Sequence, residues 1–347
     1  MTGPMRSAWC APIALTLLAA ASLESIHASS GGAQDSPELR RGAQATAVRV
    51  LEVRRNIHML SGAGGNITVQ TGKHGVMLVD TPTQTLATQV LAEIRKLSPA
   101  PIRYVINTSD DADHAGGNAA IAATGVGGGG ANAPNRLVAV GSAQGMSILA
   151  HERVLDRMSA SVAQAGLPTL TYDQPTKDLS LNGEAIIVYH VPAAHSDGDS
   201  IVMFRASDVV SAGDIFAVDR YPMIDVKRGG GVSGVIEGLN LILQLTVPEA
   251  FQEGGTKVIP GHGRVCDESD VVEYRDMVWI VRDRIADLMK KGMTLAQIKA
   301  AKPTRDYDAE YDSPAVTADV FVESVFASLG RSTISKSAPA RSGGARK

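Results

Sequence analysis

The sequence predicts an α/β fold made of two similar halves, each with strand-length apolar runs first and helix-length amphipathic runs after. Two further observations shape that reading. Several strand-like runs end in tight, small-residue turns that carry His or Asp. No glycine-rich phosphate loop opens a helix: Gly62-Ala63-Gly64-Gly65-Asn66 has the glycines, but a strand-like run follows it.

Composition sets the limits. A chain of 347 residues can bury a sizeable core as one large domain or two smaller ones. A hydrophobic content of 44% excludes disorder throughout, and a net charge of −3 leaves no electrostatic footprint for nucleic acid. Aromatics make up only 4% against 35 glycines, which fits small-residue packing and many tight turns.

Residues 1–28 read as an export signal, with Arg6 ahead of the apolar run Ala11 to Ala21 and a small residue, Ala28, at the cleavage point. That run is too short to span a bilayer, and no other segment approaches 18 apolar residues. The mature chain is therefore expected in the periplasm or outside the cell, with no membrane span. Removing the signal takes Cys10 and leaves Cys266 as the only thiol, so no internal disulfide is available. Residues 29–46 are polar, small and linker-like.

From Val48 the elements follow in order. Strands are expected at 48–53 and 57–60, an alternating run at 67–71 and a buried strand at 75–80, together forming antiparallel hairpins. Leu86, Val90, Leu91, Ile94 and Leu97 share one face of a helix, which Pro99 and Pro101 end. A buried strand at 102–106 leads into Asn107 to Asn118, and a short helix begins near Gly117. The glycine-rich stretch 125–134 reads as a surface insertion, followed by a strand at 137–140 and a helix over 143–165. The second half offers strands at 178–181, 185–191, 200–204, 209–211 and 257–259, with a helix over 235–245. Helices follow at about 270–291, 295–301 and 315–329, with capping boxes expected at Asp270/Glu273 and Thr294/Gln297. The tail from Arg331 reads as disordered.

The chemistry is concentrated at four strand ends. Asp110, Asp111, Asp113 and His114 crowd within five residues, and like charges at that spacing call for a cation or full solvation. His195 sits in Ala194-His195-Ser196-Asp197-Gly198-Asp199, Asp214 closes Ser211-Ala212-Gly213-Asp214, and His262 lies in Pro260-Gly261-His262-Gly263. Rigid strands that aim side chains, with glycines admitting close approach, are how metal sites are built.

In this order the four ends resemble the metallo-β-lactamase superfamily, over roughly residues 48–265. The resemblance implies a four-layer αβ/βα sandwich, with residues 47–268 as the hydrolase domain and 269–330 as a C-terminal helical extension. The family's His-x-His-x-Asp-His motif reads here Ser109-x-Asp111-x-Asp113-His114, and Gly116-Gly117-Asn118 fits the pattern. Carried over residue by residue, one metal position takes Asp113, His114 and His262. The other keeps His195, Asp214 and Asp111, with Ser109 a poor ligand. A divalent ion, zinc foremost and iron or manganese as alternatives, is expected to fill the first position tightly and the second loosely.

The implied activity is hydrolysis of a small-molecule ester, lactone, thioester or β-lactam by a hydroxide formed on the metal. Asp113 orients the water and shuttles its proton. Tyr221 and Lys227 are the candidate substrate contacts, with Lys227, Arg228 and Gly229 to Gly231 as a mobile flap contacting an anionic substrate. Asp197 and Asp199 read as turn formers or supports of the ligands. A weakened binding or sensory protein, or a mononuclear-iron redox or sulfur enzyme on the same fold, are the alternatives.

Overall fold

The first sheet holds seven strands in chain order: β1 (Arg49–Arg54), β2 (Ile57–Ala63), β3 (Gly65–Gln70), β4 (Val76–Val79), β5 (Ile102–Ile106), β6 (Ser147–His151) and β7 (Leu170–Tyr172). Pairing is antiparallel from β1 to β4 and parallel from β4 to β7. The second sheet holds five more: β8 (Thr176–Leu181), β9 (Glu184–Val191), β10 (Asp199–Phe204), β11 (Val209–Ser211) and β12 (Lys257–Ile259), in the order β12-β11-β10-β9-β8. Only β11 and β12 run parallel there. This computed structural model describes residues 47–124 and 146–337, with side chains through Arg331. The expected export signal, the whole linker, the 125–134 insertion, the strand at 137–140 and the expected disordered tail beyond residue 337 lie outside the described residues.

Side-chain alternation along the strands builds the layers. Met77 and Val79 face inward with Ile106, Ile186, Val202 and Phe204, filling the space between the sheets. Val76 and Leu78 point the other way, onto Val90 and Ile94 of helix α1 (Ala87–Leu97). Val210 and Val258 cover the outer face of the second sheet together with Val235, Leu239 and Ile242 of a later helix, Val232–Leu245. The result is helix, sheet, sheet, helix, the predicted α/β sandwich.

Between these two helices in the chain come three short ones: α2 (Ala112–Ala115), α3 (Asn118–Thr124) and α4 (Glu152–Met158). The covering helix Val232–Leu245 is α5, and after β12 come α6 (Glu268–Lys290), α7 (Leu295–Ala300), α8 (Asp308–Tyr311) and α9 (Ala318–Ser337). Val278, Val281, Phe321 and Val325 from α6 and α9 join the α5 core, so the C-terminal helices share it rather than forming a core of their own.

Several expectations are corrected. The helix expected over 143–165 is instead β6 followed by α4, because Ser147 to His151 are all buried and pair with strands on both sides. A fully buried strand has no polar face, so periodicity cannot tell it from a helix. The first C-terminal capping box is Asp267/Asp270, not Asp270/Glu273, since α6 begins one turn earlier. The Thr294/Gln297 box forms as expected. Helix α9 continues through Arg331 to Ser337. The strands β2 and β3 run through the glycine stretch and leave only Gly64, at φ +104°, as the turn.

Candidate metal centre

Parallel pairing brings the relevant strand ends together. Strands β4 and β5 end side by side, delivering Asp80 and the Asn107 to His114 turn to one edge of the sandwich. Strands β11 and β12 do the same for Asp214 and His262 from the second sheet. Asn66 on β3 stitches the two together: its backbone N–H donates to Gly261 O (2.8 Å) and its side-chain amide to Pro260 O and Gly263 O (3.0 Å each). His195 enters from the turn between β9 and β10.

Six predicted residues meet at this edge in two groups, Asp113/His114/His262 and Asp111/His195/Asp214, with the donor atoms of each group within 4.8 Å of one another. His114 Nε2 lies 3.1 Å and His262 Nε2 3.3 Å from Asp214 Oδ1, which places Asp214 between the groups. His262 Nε2 is 3.4 Å from Asp113 Oδ2, and His195 Nε2 is 3.1 Å from Asp111 Oδ2. These approaches are close without the directions of hydrogen bonds. Among the described residues, Asp111 Oδ2, His114 Nε2, both His195 ring nitrogens and both Asp214 oxygens are buried with no hydrogen-bond partner. Buried polar atoms without partners are rare and costly. Five of them, all but His195 Nδ1, which faces Asp199, converge on one small region and fit divalent cations, and imidazole with carboxylate is a donor set suited to zinc, iron or manganese.

The surroundings hold this convergence. Asp80 accepts hydrogen bonds from Thr108 N and Thr108 Oγ1, and its Oδ2 lies 2.7 Å from His114 Nδ1. That contact places the proton on Nδ1 and leaves the Nε2 lone pair for the site, a common support for ligating imidazoles. Asp199 accepts from Ser196 N and Ser196 Oγ, fixing the turn that carries His195, and lies 3.4 Å from His195 Nδ1. Ser109 is buried and its hydroxyl accepts from Asp111 N, a turn-forming role. A Cβ on Gly261 would stand 2.4 Å from Asp214 Oδ1, so only glycine fits there.

Charge is balanced locally. Burial pushes the Asp214 carboxyl up, but His114 and His262 outweigh it and hold the group well below the usual carboxylate range. Burial likewise raises Asp111, and its contacts with His195 and Arg228 override that and keep it ionised. His114 and His195 show the reverse: burial lowers them, and the facing carboxylates drive both well above an ordinary histidine. The cluster thus demands positive charge, supplied by protons or by a cation that displaces them.

Sequence reasoning missed Asp80 and the reach of Arg228. Asp80 ends a buried strand at φ +67°, an uncommon angle for a non-glycine residue and a signal visible only in the structure. Arg228 Nη1 lies 2.6 Å from Asp111 Oδ1 and 3.1 Å from Asp110 Oδ2, and its Nε donates to Asp225. The flap expectation is corrected. Gly230 N donates to Asp225 O and Gly231 N to Ala194 O, and a Cβ on Gly230 would lie 2.2 Å from His195 O, so the segment is pinned against the His195 turn. Tyr221 is also reassigned. It is fully buried, stacks on Phe321 at 4.9 Å and donates to Asp308 Oδ1, which makes it a core residue rather than a substrate contact. Lys227 lies beside the site, lining the cleft next to Arg228. Cys266 is buried against Arg264 O, away from both groups.

Comparison with known proteins agrees with this architecture. Residues 60–262 match the metallo-beta-lactamase superfamily, and the chain belongs to that family. The sequence matches no curated protein. Among solved structures, the stereoselective inverting sec-alkylsulfatase Pisa1 from Pseudomonas sp. superposes with a TM-score of 0.61 at 15% identity, over 83% of this chain and 51% of that one. This chain therefore spans about half the length of that sulfatase. The DIM-1 metallo-beta-lactamase superposes with a TM-score of 0.50 at 14% identity, over 67% of this chain and 96% of that one. At such identities the likeness is one of fold.

Proposed function

We propose that this protein is an exported, metal-dependent hydrolase of small-molecule esters, lactones, thioesters or β-lactams. The observation that carries the reading is the set of buried, unpartnered His and Asp atoms converging from four strand ends. Asp113, His114 and His262 would hold one divalent ion, most simply zinc, and Asp111, His195 and Asp214 a second, weaker one. Export rests on the signal-like residues 1–28 alone.

When bound, a divalent ion lowers the pKa of a water towards about 7 and polarises an acceptor oxygen. The chain's own residues supply the rest. The Asp113 side chain is 31% exposed, whereas those of His114 and His195 are fully buried, so it is the group open to an incoming water. Burial raises its carboxyl, but His262 and His114 keep it ionised and below the ordinary range. Asp113 can therefore hold the attacking water by a hydrogen bond and take its proton at the carboxylate. Asp80 and Asp199 keep the imidazoles in position, and Arg228 keeps the Asp111 carboxylate in place.

The test is metal content after chelator-free purification, followed by turnover of a chromogenic ester, lactone, thioester and β-lactam panel with zinc, manganese or iron added. Asp113→Asn is expected to cost about 10²- to 10⁴-fold in kcat, and to lower metal content as well, since Asp113 is one of the three residues that would hold the first ion. A folded protein that takes up no metal and turns over no substrate would overturn the reading.

A further inference from the structure

A cleft of about 390 Å³ opens beside the metal-ligand groups, and its lining carries five cations: Arg153, Arg157, Lys227, Arg228 and Arg331. Only two carboxylates, Asp156 and Asp197, share that lining. Two of the cations are spoken for. Arg157 pairs with Asp110 and Asp197, and Arg228 with Asp110, Asp111 and Asp225. The other three are not neutralised in the same way. The Lys227 ammonium has no partner among the described residues, Arg331 donates to the Val226 carbonyl, and Arg153 reaches only exposed Asp156 at 3.9 Å. Cations gathered in one concavity repel unless an anion sits among them. The volume lies in the range of small-molecule sites, about 300–1,000 Å³.

The geometry points to this cleft as the seat of an oxyanion group on the substrate, a carboxylate, sulfate or phosphate remote from the bond that is cleaved. Arg228 is the link between the two places. It lines the cleft and bonds Asp111 at 2.6 Å, so an anion in the cleft sits one side chain away from the metal-ligand groups. Arg157 braces the same floor through Asp110. Lys227, Arg331 and Arg153, which hold no residue of the metal-ligand groups, are then the residues that select an anionic substrate. This assignment rests on the hydrolase reading for its role, but the anion site itself does not.

The experiment separates the two. The full chain, stripped of metal with a chelator and dialysed, is titrated calorimetrically with inorganic sulfate, inorganic phosphate and acetate at low and high sodium chloride. Saturable binding of at least one oxyanion, weakened by salt, is expected. Lys227→Ala/Arg331→Ala is expected to weaken it by at least about tenfold, with an unchanged melting temperature. Arg153→Ala provides an independent single-site variant. Absence of saturable oxyanion binding, or binding unaltered in the double variant and in Arg153→Ala, overturns the anion site. With metal restored, the double variant should raise KM for esters bearing a remote anion and leave neutral esters unchanged. Equal effects on both overturn the substrate assignment, and a protein without turnover that still binds oxyanions retains the site while the hydrolase reading fails.

Discussion

Replacing Asp80 with Asn changes one buried charge and leaves the shape of the side chain intact. Asp80 is 2% exposed and serves three donors at 2.7 Å: Thr108 N, Thr108 Oγ1 and His114 Nδ1. An asparagine can keep its carbonyl towards Thr108 N, and the Thr108 hydroxyl can turn to accept. It must then present an amide N–H to His114 Nδ1. His114 answers by moving its own proton to Nε2, the atom 3.1 Å from Asp214 Oδ1, and the lone pair meant for the metal is lost. A hydrogen bond to a charged group is worth about 1.5–3 kcal/mol, which converts to roughly tenfold to hundredfold in affinity. That matches the usual cost of removing a support of a ligating histidine, about 10–100-fold. Competition against a chromophoric chelator reads the affinity, and thermal unfolding reads the fold. Asp80→Asn should weaken metal binding by that factor while stability falls by no more than about 1–3 kcal/mol. Wild-type affinity in a folded Asp80→Asn protein would refute the tautomer argument.

Three other outcomes follow from the same geometry. His114, His195 and His262 are all raised, burial opposing and the facing carboxylates prevailing, so protons compete with metal near neutrality. Apparent metal affinity should therefore climb as pH rises through neutrality, with proton release on binding that calorimetry in buffers of different ionisation enthalpy can count. Gly261→Ala sets a Cβ 2.4 Å from Asp214 Oδ1 and should displace that carboxylate, lowering both metal content and melting temperature. His151 is held down to about 4, by burial first and then by His190 stacked 3.6 Å away. The folded group stays neutral while the unfolded one takes up a proton near about 6.5, so stability is full above that pH and falls as pH drops from 6.5 towards 4. His151→Asn keeps an acceptor for Arg153 N, which His151 Nδ1 now caps at 3.3 Å, and should shrink that acid-side loss in calorimetric scans.

What the sequence disclosed was what local chemistry encodes. His114, His195, Asp214 and His262 each end a strand beside small residues, and that setting is readable within a few positions of the chain. The roles of Asp80 and Arg228 are not local. Asp80 meets His114 only because β4 and β5 pair in parallel, and Arg228 meets Asp111 only because the His195 turn pins its backbone. Tyr221 misled for a related reason. An aromatic shortly after a ligand strand fits a pocket as well as a core, and the helices that bury it, α8 and α9, arrive much later in the chain. Strand β6 was hidden because every one of its residues is buried, which erases the alternation that marks a strand.

The most direct test of the account is crystallographic, with data collected at the absorption edges of zinc, iron and manganese from protein purified without chelator. The account predicts an anomalous peak between Asp113, His114 and His262 at high occupancy, and a weaker one or none between Asp111, His195 and Asp214. Direct hydrogen bonds joining His114 Nε2 and both Asp214 oxygens to neighbouring side chains, with no metal at either place, would contradict it.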